Sequence, residues 1–209
     1  MTQLPAIVDE ATLTVGILLF DEVEALDFCG PFEVFSVATR AAQRRPGATA
    51  PPFRVLTIAE RARPIAARGG LLVQPGATFA DHAPLDVAIV PGGVVTRELE
   101  NPAVAAWLRR VSSPALLTAS VCTGAFLLAQ AGLLEGRQAT THWEDIDAFE
   151  ARYPQVVVRR AVPWVDEGAV VTSAGISAGI DMSLHLVERQ RGRDLARATA
   201  RQMEYSWDG

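Results

Sequence analysis

Cysteine and histidine are scarce in this chain, with two of the first and three of the second in 209 residues. Cys29 and Cys122 have no CxxC partner and no histidine at metal-ligand spacing. That excludes a disulfide framework and argues against a structural zinc site, so no metal is expected. Long apolar runs are missing too, and nothing reaches the length that spans a bilayer. The first eleven residues lack the basic stretch followed by an apolar one that marks a secretion signal, so a cytoplasmic protein without membrane contact is expected. Positive charge is not concentrated anywhere: 19 basic residues are scattered among 24 acidic ones for a formal net charge of -5. Without a basic stripe, nucleic acid is not an expected partner.

What is present is apolar material, 49% of the chain against 21% charged residues, enough for one core without covalent staples. The expected organisation is an N-terminal extension over 1–11, a single domain over 12–205 and a short tail over 206–209. LTVGILLF from Leu13 to Phe20 is a nearly continuous apolar run, the pattern of a strand covered on both faces in a parallel sheet. A second run from Phe53 to Ala59 follows a helical pattern over Pro31 to Gln43 and a Pro/Gly/Ala-rich linker, which makes a β-α-β unit. A hairpin is expected around Pro64 to Val73, a buried strand over Leu85 to Val90, and a helix over Asn101 to Ser112 with Pro102 at its first position.

The alternation continues with a strand over Ala115 to Ser120 and a helix from Thr123 to about Ala131. A helix over Trp143 to Tyr153 and three short strands between Val156 and Thr172 come next. Helices ending near Gln190 and spanning Asp194 to Tyr205 close the chain. The expected fold is α/β, a single-domain, doubly wound, flavodoxin-like and mostly parallel sheet with helices on both faces. Its active crevice lies beyond the carboxyl ends of the strands. That rule nominates the loops over 20–31, 91–97 and 120–124.

In Ser120-Val121-Cys122-Thr123-Gly124 a buried strand turns abruptly into a helix, the geometry of a nucleophile elbow. Free amides and the dipole at that helix start are expected to lower the thiol pKa and make Cys122 reactive; the alternative is a small buried hydrophobe. Asp27 follows the first strand on the same edge, where it reads as a proton shuttle for the thiol or as a cap for the helix beginning at Pro31. Gly92 and Gly93 end a strand and can bring backbone amides to a developing negative charge, although diglycines also form ordinary turns. His82 reads as a loop residue and His185 as part of an apolar helix face. His142, between a short strand and a helix, is a secondary candidate base or a cap. Cys29 reads as a packing residue.

Together these segments resemble the ThiJ/PfpI superfamily, which has the class I glutamine amidotransferase-like fold, from about Thr12 to Tyr205. The carrying residues are Leu26-Asp27-x-x-Gly30-Pro31-x-Glu33-Val34, Pro91-Gly92-Gly93, Ser120 to Gly124, Ala139-Thr140-Thr141-His142-Trp143 and Ala178-Gly179-Ile180-Asp181. They look like the subgroup of isocyanide hydratases and the sensor domains of AraC-type regulators. The resemblance implies Cys122 as nucleophile, Asp27 as its acidic partner, Thr123 beside them, a homodimer, a small-molecule substrate and no cofactor. Thr123 stands where the intracellular proteases of the superfamily carry histidine, which disfavours proteolysis. Where a hydratase is expected to have a further glycine, this chain reads Val94-Val95-Thr96-Arg97. The chain ends at Gly209 without the helix-turn-helix of the regulators, so DNA binding is not expected. The implied activity is hydration of an organic isocyanide to an N-substituted formamide. The alternatives are a glyoxalase- or deglycase-like reaction on reactive aldehydes, or a non-catalytic redox sensor or chaperone-like dimer.

Overall fold

The computed structural model of the chain describes residues 11–48, 50–112 and 117–208. Nearly all of the expected N-terminal extension, the start of the expected strand at Ala115 and Leu116, and Gly209 of the tail lie outside the described residues. The chain opens with β1 (Leu13–Leu18), α1 (Ala25–Gln43) and β2 (Phe53–Ala59), the expected β-α-β unit. The hairpin is β3 (Ile65–Ala66) with β4 (Leu72–Val73), and it is followed by β5 (Ala77–Thr78) and β6 (Val87–Val90). Next come α2 (Thr96–Leu99), α3 (Pro102–Val111), β7 (Leu117–Val121), α4 (Gly124–Gln130) and β8 (Gln138–Ala139). The last third holds α5 (Ile146–Arg152), β9 (Val157–Val158), β10 (Trp164–Asp166), β11 (Val170–Ser173), α6 (Ala178–Arg191) and α7 (Arg193–Gln202).

The central sheet has seven strands in the order β10-β11-β7-β6-β1-β2-β5, and every pairing except β10 with β11 is parallel. All residues of β6 and β7 are buried, which is why these segments are apolar or small throughout. Helices α1, α6 and α7 pack on one another, and α2, α3 and α4 form a second group. The α/β class with a mostly parallel sheet is therefore as the sequence indicates. At α3 the local signals act as expected: Asn101 accepts the Ala103 amide at 3.0 Å, Pro102 opens the helix, and Val104, Trp107, Leu108 and Val111 are its buried stripe.

Several helix boundaries differ, among them the end of the last helix, at Gln202 and not Tyr205. α1 starts at Ala25, so Pro31 lies inside it and Asp27 lies in its first turn. A proline here removes one hydrogen bond to the carbonyl four residues earlier, that of Asp27. Packing of α1 on α6, α7 and β2 offsets that loss. Trp143 to Asp145 form a 3-10 turn ahead of α5 in place of one continuous helix. The two-residue strands β5 and β8 and the single-turn α2 are too short to leave a periodic signal in the sequence.

The topology selects one edge of the sheet. From β1 the chain moves outward to β2 and β5, then returns to place β6 on the other side of β1. The crevice of a doubly wound sheet opens at such a reversal. The segments that follow β1, β6 and β7, three adjacent strands, carry Asp27 in the first turn of α1, Gly92 with Gly93, and Cys122 with Thr123.

Candidate active site

Cys122 follows β7 directly and has φ +56°, a left-handed conformation that costs a residue with a side chain roughly 1 kcal/mol. The surroundings hold it there. Its amide donates to the carbonyls of Ser173, the last residue of β11, at 3.2 Å and of Ala174 just beyond it at 3.3 Å, and its carbonyl accepts the Thr141 hydroxyl at 2.8 Å. Gly124 lets the turn close: a Cβ there would overlap the Val90 carbonyl oxygen at the end of β6. The strand-turn-helix geometry expected of the elbow is present, and the cysteine is 7% exposed.

Asp27 is fully buried. Its Oδ2 accepts the Gly92 amide at 3.0 Å, and Oδ1 has no formed hydrogen bond, although the Cys122 thiol lies near enough to favour the ionised carboxylate. Burial is the largest influence and pushes the Asp27 carboxyl up to about 7, with the Glu24 charge adding to the rise and the Gly92 amide opposing it. The thiol behaves differently from the sequence expectation. Burial first, then the Asp27 charge, pushes Cys122 up to about 12, and the amide and hydroxyl of Thr123 oppose this only in part. A helix start lowers a thiol pKa when its amides are free. Here the Ala125 amide donates to the Cys122 carbonyl and the Phe126 amide to that of Thr123, while a carboxyl faces the sulfur. The pair is best treated as one unit that holds a single proton between about pH 7 and about pH 12.

This has a consequence for stability. Because the folded Asp27 keeps its proton from the ordinary value of 3.8 up to about 7 while the unfolded chain has lost it, stability falls as pH rises through that window. Asp27→Asn keeps an oxygen for the Gly92 amide and abolishes this loss. The variant is expected to be more stable than the wild type at pH 8, by on the order of 4 kcal/mol, and the difference shrinks toward pH 4. Urea melts at both pH values check this; a variant equally destabilised at each would refute it.

Thr123 joins the loops after β6 and β7. Its hydroxyl accepts the Gly93 amide at 2.9 Å and donates to the Gly93 carbonyl at 2.9 Å. A Cβ on Gly92 would lie 2.5 Å from the Thr123 amide and 3.0 Å from Asp27 Oδ2, so only glycine permits this approach. Both amides read from sequence as anion-holding donors therefore have partners within the protein, Asp27 for Gly92 and Thr123 for Gly93.

Four of the residues singled out from sequence thus converge with Cys122: Asp27, Gly92, Gly93 and Thr123. His142 follows Thr141, whose hydroxyl bonds the Cys122 carbonyl, but its own ring nitrogen is engaged elsewhere. It caps the Trp143–Asp145 turn by accepting the Glu144 amide at 3.4 Å, faces Asp145 at 3.5 Å and packs against Gly175, where a Cβ would overlap its ring. His82 accepts the Trp107 indole N–H at 2.9 Å, and His185 pairs with Asp166 at 2.7 Å. Cys29 is a half-buried free thiol on α1, and burial raises its pKa. Sequence reasoning passed over Glu24 and Asp145, whose charges act on Asp27 and Cys122 respectively. The three-residue spacing of Glu24 and Asp27 at a helix start was the available signal for the first. A shallow cleft opens at the ends of β1 and β2, lined by Asp21, Arg63, Phe79, Arg97 and Glu98 among others, and neither Cys122 nor Asp27 lines it. Among the described residues no helix is long and apolar enough to cross a membrane.

The isonitrile hydratase of Pseudomonas putida is 35% identical over 195 residues, which cover 93% of this chain and 79% of that protein. The HTH-type transcriptional regulator GbdR of Pseudomonas aeruginosa is 30% identical over 193 residues, and this chain spans about half of its length, 50%. In fold, a THiJ/PfpI family protein from Pseudomonas syringae superposes with a TM-score of 0.82 at 24% identity over 99% of this chain and 84% of that one. DJ-1beta of Drosophila melanogaster gives 0.79 at 18% identity over 94% of this chain and 100% of that one. The family model described as DJ-1/PfpI matches residues 13–189, a span that runs from β1 almost to the end of α6 and takes in every residue of the elbow and its acidic partner. The chain belongs to the DJ-1/PfpI family.

Proposed function

We propose that the protein hydrates an organic isocyanide to the N-substituted formamide, with Cys122 as nucleophile and Asp27 as proton carrier. The observation that carries this reading is the buried pair: a nearly covered thiol beside a fully buried carboxyl that titrates near neutrality. The similarity to the isonitrile hydratase supports it. A cysteine that is 7% exposed suits a narrow electrophile, and the terminal carbon of R–N≡C is the tip of a linear group.

Asp27 takes the thiol proton as sulfur bonds to the isocyanide carbon, and the resulting carbanion takes that proton back from Asp27. The product is a thioimidate, R–N=CH–S–Cys122. Water adds to its carbon, one water proton passing to nitrogen. The tetrahedral adduct then expels sulfur as its hydroxyl loses the second, which returns to the thiol and leaves R–NH–CHO. Thr123 holds the loop after β6 against the elbow throughout. Atoms and electrons balance without an oxidant, a reductant or a second substrate beyond water.

Purified protein incubated with cyclohexyl isocyanide should form the formamide. Its kcat/KM should rise with pH along an acid limb near 7, where the pair loses its first proton. Absence of formamide across a panel of alkyl and aryl isocyanides would remove the assignment. The likeness to GbdR favours a second reading, a ligand-binding domain without turnover. Saturable binding of a small molecule with no chemical change would support that one.

A further inference from the structure

We propose that Glu24, steadied by Arg68, is a positioning residue that sets where the proton of the Asp27–Cys122 pair resides. The proposal rests on those two residues acting as a reactive pair, as in the hydratase reading, but not on the identity of the substrate.

The backbone ties Glu24 to Asp27 in a closed circuit. The Glu24 amide donates to the Gly92 carbonyl at 2.9 Å, the Gly92 amide donates to Asp27 Oδ2 at 3.0 Å, and the Asp27 amide donates to the Glu24 carbonyl at 3.1 Å. Neither residue can shift without the other. The Glu24 carboxylate, 23% exposed, faces Arg68 Nη1 at 3.2 Å. Arg68 belongs to the turn between β3 and β4, and its amide donates to the Val23 carbonyl at 3.0 Å, which anchors that turn to the start of α1. An acidic and a basic side chain from different elements thus act on a carboxyl that is fully buried.

The charged groups acting on Asp27 and its partner come from every side. Glu24 on its own helix start opposes ionisation of Asp27, Arg68 from the β3–β4 turn favours it more weakly, Cys122 faces it from the elbow, and Asp145 acts on the thiol from the turn before α5. Arg68 is 52% exposed, so solvent screens its charge more than that of Glu24, and the negative influence prevails. Glu24 therefore keeps a proton on Asp27 to higher pH than the same site would without its charge. Arg68 limits the effect.

The test measures alkylation of Cys122 by iodoacetamide against pH in the full chain, with peptide mass spectrometry separating Cys122 from Cys29. The wild type should show a lower limb near 7, where the pair loses its first proton. In Glu24→Gln this limb should move down by roughly half a pH unit or more, and in Arg68→Gln it should move up. Glu24→Asp should restore most of the wild-type position, and the double variant should lie between the single ones. The circuit uses only the Glu24 backbone, so the side-chain variants keep it, and circular dichroism checks that they fold. A limb unmoved in both single variants, or moved upward in Glu24→Gln, would overturn the proposal. Iodoacetamide needs no isocyanide: shifted limbs without formamide would reject the substrate and keep the proposal, while formamide with unshifted limbs would do the reverse.

Discussion

Replacing Cys122 by alanine is expected to leave a folded protein whose formamide production falls by at least roughly 10³-fold, toward the uncatalysed rate. In the proposed reaction every covalent step passes through this sulfur, so its loss removes the thioimidate route. Serine in the same place should recover little, because its hydroxyl is a far weaker nucleophile at any pH where Asp27 can serve as its base. The fold should tolerate the change. The contacts that hold the elbow use the amide and carbonyl of residue 122, donated to Ser173 and Ala174 and accepted from Thr141, and alanine keeps both. A stability drop of several kcal/mol would mean that the thiol is mainly a packing group. Unchanged turnover would exclude covalent catalysis by Cys122.

The largest loss of stability is expected at Gly124, where alanine should lower the melting temperature by roughly 6–12 °C, corresponding to about 3 kcal/mol in a domain of this size. The added carbon would press on the Val90 carbonyl and lie 2.9 Å from the Pro91 carbonyl oxygen, and both are backbone atoms at the end of a central strand. Backbone in the middle of a sheet cannot rotate aside as a side-chain end can. Relief requires α4 to move away from β6, which parts Thr123 from Gly93. Thiol alkylation should then lose its limb near 7 even in molecules that remain folded. Gly136→Ala is the control: that glycine has φ +68° with nothing within 4 Å of an added Cβ, so only the conformational cost of about 1 kcal/mol applies. Equal losses at the two positions would show that close approach at Gly124 is not the cause.

The elbow was legible in the sequence because Ser120 to Gly124 compresses a strand, a turn and a helix start into five residues with few other uses. The main strands were legible too, since burial on both faces leaves unbroken apolar runs such as Val87 to Val90. The start of α1 was not, because Pro31 carries the usual mark of a helix opening and the packing that tolerates it in mid-helix comes from α6 and α7, more than 140 positions away. Nor was the direction of the Cys122 shift. A helix start argues for a thiolate, but burial and a facing carboxyl act over distances that only the folded chain defines. The roles of the diglycine amides were hidden for the same reason, since Gly92 finds Asp27 and Gly93 finds Thr123 across loops far apart in the chain.

Those same separations bear on how the molecule folds. The Gly92 amide meets Asp27 across 65 positions and Gly93 meets Thr123 across 30, so the reactive pair is assembled from contacts of long range whose loops must close first. A chain still emerging in order from its N-terminus holds Asp27 long before Cys122 exists to face it. The altered thiol is therefore a property of the finished sheet, and the pH dependence of its alkylation during refolding would time the moment at which the loops leaving β1, β6 and β7 come together.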